Sequence, residues 1–268
     1  FHAKGLIAQE QRELMVFAVL ILLIATIPTI FILYFTAWKY RESNKKAVHD
    51  PLARQSPFVA GMMWLIPMAF LIALAPVLWS STHRLEPNKT IAADAKPITI
   101  QVVAMRWKWV FLYPEQKIAT VNFVQIPKDT PVTFELTADE APMSSFWIPN
   151  LGGQLYAMTS HVNKLNLIGD TIGDYPGSTP EINGAGFSGM KFTARVSSAE
   201  DFESWVQGVK QTNNELTSSR YTDLLKPTEN NPAVFYSDYP GDIYRKVFEK
   251  YMGGHMSHTE KTGHGSHE

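Results

Sequence analysis

The chain has 268 residues, 45% of them apolar and 18% charged, which is enough for one large domain or two smaller ones. A formal net charge of −1 gives no support to nucleic-acid binding, which needs a clustered basic face. The absence of cysteine excludes disulfides, thiolate nucleophiles and metal sites that depend on cysteine sulfur. The first residue is Phe1 rather than methionine, which favours a processed or trimmed start with a signal peptide already removed.

The N-terminal part of the chain contains two long uncharged segments. Residues 14–38 carry no charge, and at about 1.5 Å per residue a helix of this length exceeds a hydrocarbon core of about 30 Å. Pro28 is expected to kink this helix. Residues 58–81 form the second segment, in which Pro67 and Pro76 favour an irregular helix packed against protein. A buried core helix is the alternative for the first segment, but it would need a second apolar shell around it.

The charges that flank these segments orient the pair. The N-terminal segment, residues 1–13, has only two basic residues, Lys4 and Arg12. The link, residues 39–57, has five: Lys39, Arg41, Lys45, Lys46 and Arg54. Because short cytoplasmic loops carry the excess of lysine and arginine, the link is predicted to be cytoplasmic and both ends external. The sequence therefore predicts a transmembrane hairpin that carries a large external domain.

Residues 95–197 have the pattern of a β domain. After a polar linker, the run ITIQVVAMRWKWVFLYP alternates in hydrophobicity, and shorter strand-like runs follow: ATVNFVQIP, PVTFELTA, SSFWIP, LYAM, NKLNLIGD and MKFTARV. Proline, glycine, aspartate and asparagine separate them at spacings of about 8–12 residues, which is typical of an all-β sandwich or barrel.

Residues 198–253 change to a helical period. Ser198 and Asp201 resemble a capping box, and four apolar residues then recur at helical spacing: Phe202, Trp205, Val206 and Val209. A second helix is predicted over DIYRKVFEKYMGG and is expected to end at Gly253 and Gly254. An aromatic- and turn-rich stretch lies between the two helices. Residues 254–268 are expected to form a His-rich disordered tail.

The Gly-rich segment STPEINGAGFSGM, residues 178–190, raises the question of a ligand loop. A phosphate cradle needs a strand, a glycine turn and a helix N-terminus, usually with a lysine nearby. Here Met190 is followed by KFTARV, which has a strand pattern, and no helix begins at the glycines. The segment is therefore not predicted to bind phosphate.

The order of two spans, RWKWVFLYP, SSFWIP and the Gly-rich loop resembles subunit II of the haem-copper respiratory oxidases. The motifs EQRELMV, AWKYRESNK, LEPNK, KPITIQVVAMRWKWVFLYPEQKIATVN and GFSGMKF and the aromatic C-terminal extension resemble one branch, the cytochrome bo-type ubiquinol oxidases. The resemblance covers nearly the whole chain. It implies an α+β membrane protein, in which a two-helix transmembrane hairpin precedes an extracytoplasmic cupredoxin-like β-sandwich and a C-terminal helical, aromatic-rich extension.

The same resemblance identifies former copper-ligand positions. In the cytochrome c-oxidising branch, the ligands are a histidine before Ser-Phe-x-x-Pro and the side chains of Cys-x-Glu-x-Cys-x3-His-x2-Met. In this sequence those positions are Ser144, Thr179, Glu181, Asn183, Phe187 and Met190. A dinuclear copper site needs thiolates and imidazoles, and only the glutamate and the methionine are retained. The resemblance therefore implies a degenerate copper loop and a chain with no metal, no cofactor and no catalytic residue.

The family implies a function at the level of a complex. We expect a non-catalytic subunit of a respiratory ubiquinol oxidase that reduces oxygen to water and translocates protons. Haems and one copper are expected in the partner subunit I, which receives electrons directly from ubiquinol. This chain is expected to support assembly and stability beside subunit I and further small membrane subunits. The expected location is the bacterial inner membrane, multi-pass, with the soluble domain in the periplasm.

Two departures from the family and three alternatives remain at this stage. Family members usually begin at a lipid-modified cysteine, which this chain lacks, and a proton-channel carboxylate of the second span is aligned with Ala60.

A copper-handling binding protein is the alternative function, using Met158, Met190 and the tail histidines. Trp107 and Trp109 are either an electron-entry platform or aromatic packing. The tail histidines, which either bind a metal or are simply solvated, are His255, His258, His264 and His267.

Overall fold

A computed structural model describes residues 2–46, 56–93 and 95–259, with side chains described as far as Met252. The chain divides into two compact units. The unit Gln11–Glu86 contains most of helix α1, Leu6–Lys39, and helix α2, Pro57–Arg84, both long and apolar enough to cross a membrane. The second unit contains the first ten residues and everything from Pro87 onward. Residues 47–55 of the predicted cytoplasmic link, including Arg54, lie outside the described residues.

The second unit is a sandwich of a six-stranded and a five-stranded sheet, as expected. The strands are β1 Ile98–Met105, β2 Lys108–Tyr113, β3 Ile118–Val121, β4 Phe123–Pro127, β5 Val132–Ala138, β6 Ser144–Ile148, β7 Gly152–Ala157, β8 Asn163–Leu167, β9 Gly173–Ser178, β10 Lys191–Ser197 and β11 Val234–Tyr236. The sheet orders are β11-β3-β2-β1-β5-β8 and β4-β10-β9-β6-β7. Strands β1 and β5 are parallel, as are β4 and β10.

Aromatic side chains fill the space between the two sheets. Phe146 and Phe192 stack with ring centroids 5.1 Å apart, and Trp109 meets Phe146 edge-to-face at 5.3 Å. The other face of β1 and β2 is also buried, because the C-terminal helices cover Val103, Leu112 and their neighbours. Strand β2 is therefore buried at every position, which explains its continuous apolar run.

Two runs that read as single strands are interrupted by residues with positive φ. ITIQVVAMRWKWVFLYP is an antiparallel hairpin, β1 and β2, that turns at Trp107, whose φ is 63°. ATVNFVQIP breaks at Asn122, with φ 52°, so that β3 belongs to one sheet and β4 to the other. The Asn122 side chain stabilises this crossing, since it accepts a 2.9 Å hydrogen bond from Trp109 N and donates one of 2.9 Å to Asn231 O.

The C-terminal region has three helices, α3 Ala199–Lys210, α4 Ser218–Leu225 and α5 Ile243–Thr259. The Ser198 hydroxyl caps α3 by accepting a 3.0 Å hydrogen bond from Asp201 N. Helix α4 was not predicted, since its cap, Thr217, lacks an acidic partner three residues on. The predicted end of α5 at Gly253 and Gly254 is wrong: a glycine inside a helix costs only about 1 kcal/mol, and the helix continues through both.

The first residues of the chain are bound to the sandwich rather than free of it. Lys4 N donates to Asn150 O at 2.8 Å, and Asp170 N donates to Lys4 O at 3.1 Å. Gly5 fits closely here, because a Cβ on it would lie 2.4 Å from Ile168 O. The N-terminal segment therefore adds main-chain hydrogen bonds along the β6–β7 and β8–β9 connections.

Candidate functional site

The Gly-rich segment connects β9 to β10 at one end of the sandwich. Ser178, the last residue of β9, pairs with Lys191, the first of β10, so Thr179 and Met190 lie next to each other where the two strands separate. Ser178 also pairs with Trp147 of β6, which brings that strand alongside. A single 3₁₀ turn, Phe187–Gly189, closes the loop.

Asn183 joins two of the other predicted positions. Its Nδ2 donates a 2.8 Å hydrogen bond to Ser144 Oγ and lies 3.2 Å from Met190 Sδ. Ser144 and Met190 are fully buried, and the Ser144 hydroxyl itself donates to Pro142 O at 3.0 Å. An amide N–H therefore occupies the space between the serine and the methionine.

The remaining positions complete the same loop. Thr179 is 3% exposed, Glu181 is half-buried, and Phe187 is a half-buried residue at the start of the 3₁₀ turn. Three buried oxygens here have no hydrogen-bond partner among the described residues: Thr179 Oγ1, Glu181 Oε2 and Asn183 Oδ1. Glu181 Oε2 and Asn183 Oδ1 are acceptors, and the Thr179 hydroxyl can both donate and accept.

This set of side chains does not fit a dinuclear copper centre. Such a centre needs bridging thiolates and imidazoles, and the positions that would supply them hold hydroxyls, an amide and a phenyl ring. Within the described ranges, the structure contains no group of three or more histidine, cysteine, aspartate or glutamate residues placed to hold a metal ion.

The two tryptophans have separate surroundings. Trp109 is fully buried in the core, whereas Trp107 is partly exposed at the β1–β2 turn and lies on the Gly-rich loop. A Cβ on Gly186 would come within 2.4 Å of Trp107 Cδ2, so only glycine lets the indole approach the loop this closely. Both rings act as packing elements in this geometry.

Beside the loop lies a groove of about 790 Å³ whose wall includes Trp107, Asn183 and Tyr251. Asp139 precedes the groove residue Glu140 in the chain, and its carboxylate is only 2% exposed and accepts three hydrogen bonds. The donors are Tyr221 Oη at 2.9 Å, Lys250 Nζ at 2.9 Å and Tyr251 Oη at 2.8 Å. This network, named here the Asp139 cluster, attaches α4 and α5 to the end of β5.

The Asp139 cluster raises the pKa values of two of its donors, Tyr221 and Lys250. Burial, together with the adjacent Asp139 carboxylate, raises the pKa of Tyr221 well above its usual range. Burial alone would lower the pKa of Lys250, but hydrogen bonds to Glu140 and Asp139 raise it overall. No local sequence pattern indicates this cluster, because its donors lie 82 to 112 residues from Asp139.

The residues of the alternative function fall partly outside the described side chains. Met158 follows β7, and its carbonyl accepts a 3.3 Å hydrogen bond from Thr137 Oγ1. The tail side chains, His255, His258, His264 and His267, lie outside the described side chains. Ala60 lies in the first turn of α2, where its N–H donates to Ser56 O at 2.9 Å.

Comparison with known proteins gives consistent similarities. A family model described as COX Aromatic Rich Motif matches residues 210–255. The chain is 44% identical over 260 residues to the cytochrome bo(3) ubiquinol oxidase subunit 2 of Pseudomonas putida, covering 96% of this chain and 82% of that one. It is 37% identical over 253 residues to the ubiquinol oxidase subunit 2 of Acetobacter aceti, covering 94% and 82%. A solved periplasmic domain of cytochrome oxidase subunit II from Bradyrhizobium japonicum is similar with TM-score 0.41 and 20% identity, covering 45% of this chain and 96% of that one.

Proposed function

The chain belongs to the cytochrome bo(3) ubiquinol oxidase subunit 2 family and is part of an oxidoreductase complex. We propose that it is the non-catalytic subunit of a respiratory oxidase that reduces oxygen to water with ubiquinol and translocates protons. In this proposal it supports the assembly and stability of subunit I, which carries the haems and one copper. Electrons then pass from ubiquinol to subunit I without entering the sandwich.

The contact of Asn183 with Ser144 and Met190 carries this proposal. An electron relay through the sandwich would require a metal at the loop, and the 2.8 Å hydrogen bond from the amide to Ser144 fills that position with an ordinary polar contact. The buried Met190 sulfur is engaged by the same amide at 3.2 Å. The loop therefore acts as a structural element that closes the end of the sandwich.

A periplasmic location for the sandwich is supported by the contacts of the N-terminal segment. Lys4 and Ala8 donate main-chain hydrogen bonds to Asn150 and Leu151, which supports a topology with the start of α1 and the sandwich on the same side of the membrane. The two helices then return the chain to that side. The basic residues described between the helices, including Arg41 and Lys45, favour a cytoplasmic link in the bacterial inner membrane.

A partner for the hairpin is supported by its apolar surface. Large aliphatic and aromatic side chains along α1 and α2 are exposed, among them Phe31 at 68% and Trp64 at 77%. Within the helical unit, an apolar groove of about 900 Å³ runs beside Pro28 and Pro67. Proline inside a membrane helix frees a carbonyl that neighbouring helices help to satisfy. We assign this surface to subunit I, with lipid covering the remainder.

The proposal is tested by isolating the complex through an affinity tag at the C-terminus in mild detergent. We expect a multi-span partner to copurify and the eluate to show haem bands in a reduced-minus-oxidised spectrum. Deleting the chain is expected to abolish quinol oxidation together with the haem bands of assembled subunit I. A haem-free eluate under conditions that preserve other membrane complexes would contradict the proposal.

Copper content provides a second, independent test. The proposal expects one copper per complex, held by subunit I, and none bound to this chain. Elemental analysis of the purified complex measures this ratio against haem. Two further copper ions that disappear with Met190→Leu would show that the loop binds metal after all.

A further inference from the structure

A cavity of about 440 Å³ lies between β2 and residues 210–255, named here the aromatic-rich segment. Its charged and polar lining includes Lys108, Asn214, Arg220, Asp223, Thr228 and Asn231. Every one of these residues except Lys108 belongs to residues 210–255, the segment matched by the aromatic-rich family model. The cavity is therefore a feature of that segment together with one lysine of the sandwich.

Lys108 is a lysine that is only 2% exposed. Its Nζ donates to Leu224 O at 2.8 Å and to Lys226 O at 2.9 Å, the carbonyls at the C-terminal end of α4. An ammonium has three N–H donors, so one remains for the cavity. Among the described residues no carboxylate forms an ion pair with it, and burial lowers its pKa because desolvation disfavours the charged form.

Arg220 supplies a second cation to the lining of the same cavity. Its Nη1 donates to Asn214 Oδ1, and to Glu215 O at 2.8 Å. Asn214 is fixed in turn, because its Nδ2 donates to Phe235 O at 2.9 Å. The guanidinium is thus held in one orientation at the cavity, and its Nε and Nη2 groups are further donors of the kind that bind planar oxyanions.

One carboxylate, Asp223, also lines the cavity. Its Oδ1 accepts a 2.7 Å hydrogen bond from Lys226 Nζ, so an exposed lysine neutralises it. The lining therefore carries two cations against one paired anion. A buried charge without a counter-ion is costly, and a bound anion would remove that cost at Lys108.

We propose that this cavity is an oxyanion site that holds a phosphate group between the Lys108 ammonium and the Arg220 guanidinium. The site gives the aromatic-rich segment a binding role beyond its packing on β1 and β2. Phosphate chemistry is available from free phosphate and from phospholipid headgroups, and the same two cations recognise both. The alternative is that Lys108 only caps the C-terminal end of α4 through its two carbonyl contacts. In that case replacing Arg220 would not change phosphate binding, and this difference distinguishes the anion site from a simple helix cap.

The test is calorimetric titration of the purified detergent-solubilised complex with inorganic phosphate. We expect saturable binding that Arg220→Gln weakens at least tenfold and that Lys108→Met nearly abolishes. Asp223→Asn is expected to tighten binding severalfold, because it removes the one anion from the wall. Arg245→Gln, an exposed cation paired with Glu249 on α5, is the matched control and should leave the affinity unchanged.

A second titration uses a soluble short-chain phosphatidylglycerol in the presence of phosphate. Displacement of phosphate by the lipid identifies a headgroup as the ligand, whereas phosphate binding that the lipid does not affect identifies the free anion. Saturable binding of neither probe would overturn the proposal. Equal phosphate affinity of the wild type, Arg220→Gln and Asp223→Asn would overturn it as well. These two variants leave the hydrogen bonds of Lys108 to Leu224 O and Lys226 O in place, so they test binding separately from the cap on α4.

Discussion

The phenol of Tyr221 donates a 2.9 Å hydrogen bond to the carboxylate of Asp139, across 82 residues of sequence. Asp139 lies one residue beyond the end of β5, and Tyr221 lies on α4 in the aromatic-rich segment. Because Lys250 and Tyr251 of α5 donate to the same carboxylate, one acidic side chain anchors two helices to the sandwich.

Replacement of this carboxylate should loosen the aromatic-rich segment. Asp139→Ala leaves the phenols of Tyr221 and Tyr251 without their acceptor, and we expect a loss of about 3 kcal/mol in the free energy of unfolding. Denaturant unfolding and limited proteolysis of α5 measure it. The control is Asp174→Ala, which removes an exposed ion pair with Arg195 and should cost less than about 1 kcal/mol. Equal effects of the two changes would contradict an anchoring role for Asp139.

The same contact predicts a loss of stability at alkaline pH. The pKa of Tyr221 is raised in the folded protein above its unfolded value of about 10, so its contribution is complete below pH 10 and falls as pH rises further. Tyr221→Phe removes this titration. We expect the thermal midpoint of the wild type to fall more steeply above pH 10 than that of the variant. Parallel curves would show that Tyr221 does not contribute to the pH dependence.

The contact between Trp107 and the Gly-rich loop predicts a steric effect. Gly186→Ala would place a Cβ 2.4 Å from Trp107 Cδ2, displace the indole and cost about 1–3 kcal/mol of stability. Gly208→Ala in α3 is the control, because nothing lies within 4 Å of its Cβ position and alanine favours a helix. Thermal midpoints should fall for the first variant and stay or rise for the second. Unchanged stability of Gly186→Ala would show that the indole is free to move.

Met190 provides the test of electron flow. Met190→Leu keeps the buried volume, so we expect less than about 1.5 kcal/mol of destabilisation and unchanged quinol oxidation per haem. Turnover is measured on complexes with matched haem content. A large loss of turnover in an intact complex would indicate that the sulfur takes part in the reaction.

The N-terminal segment is expected to be sensitive at Gly5. Gly5→Ala places a Cβ 2.4 Å from the carbonyl oxygen of Ile168, which belongs to the backbone and cannot move aside easily. We expect the first ten residues to detach and to become accessible to protease, with a lower yield of assembled complex. Gly241→Ala has open space around its Cβ position and serves as the control. Equal protease accessibility in both variants would contradict the close contact.

Local patterns were sufficient for much of this architecture. The two apolar helices follow from long uncharged runs, and the two-sheet sandwich follows from short alternating runs separated by turn residues. The Ser198 cap of α3 is equally local, since donor and acceptor lie three residues apart. The breaks at Trp107 and Asn122 were missed, because the alternation of apolar residues continues through both positions and does not report the sign of φ.

The family resemblance and the chemistry of the Gly-rich loop follow from residue types, since these decide whether thiolates and imidazoles are present. Three features required the folded chain: Asn183 contacts both Ser144 and Met190, Asp139 accepts hydrogen bonds from α4 and α5, and Lys108 lines a cavity together with Arg220. Asn183 and Ser144 are 39 residues apart in the chain, and Asp139 and Tyr221 are 82 residues apart. Periodicity reports only the neighbours along one helix or strand, whereas such contacts form when sheets and helices pack and exclude water from their polar groups.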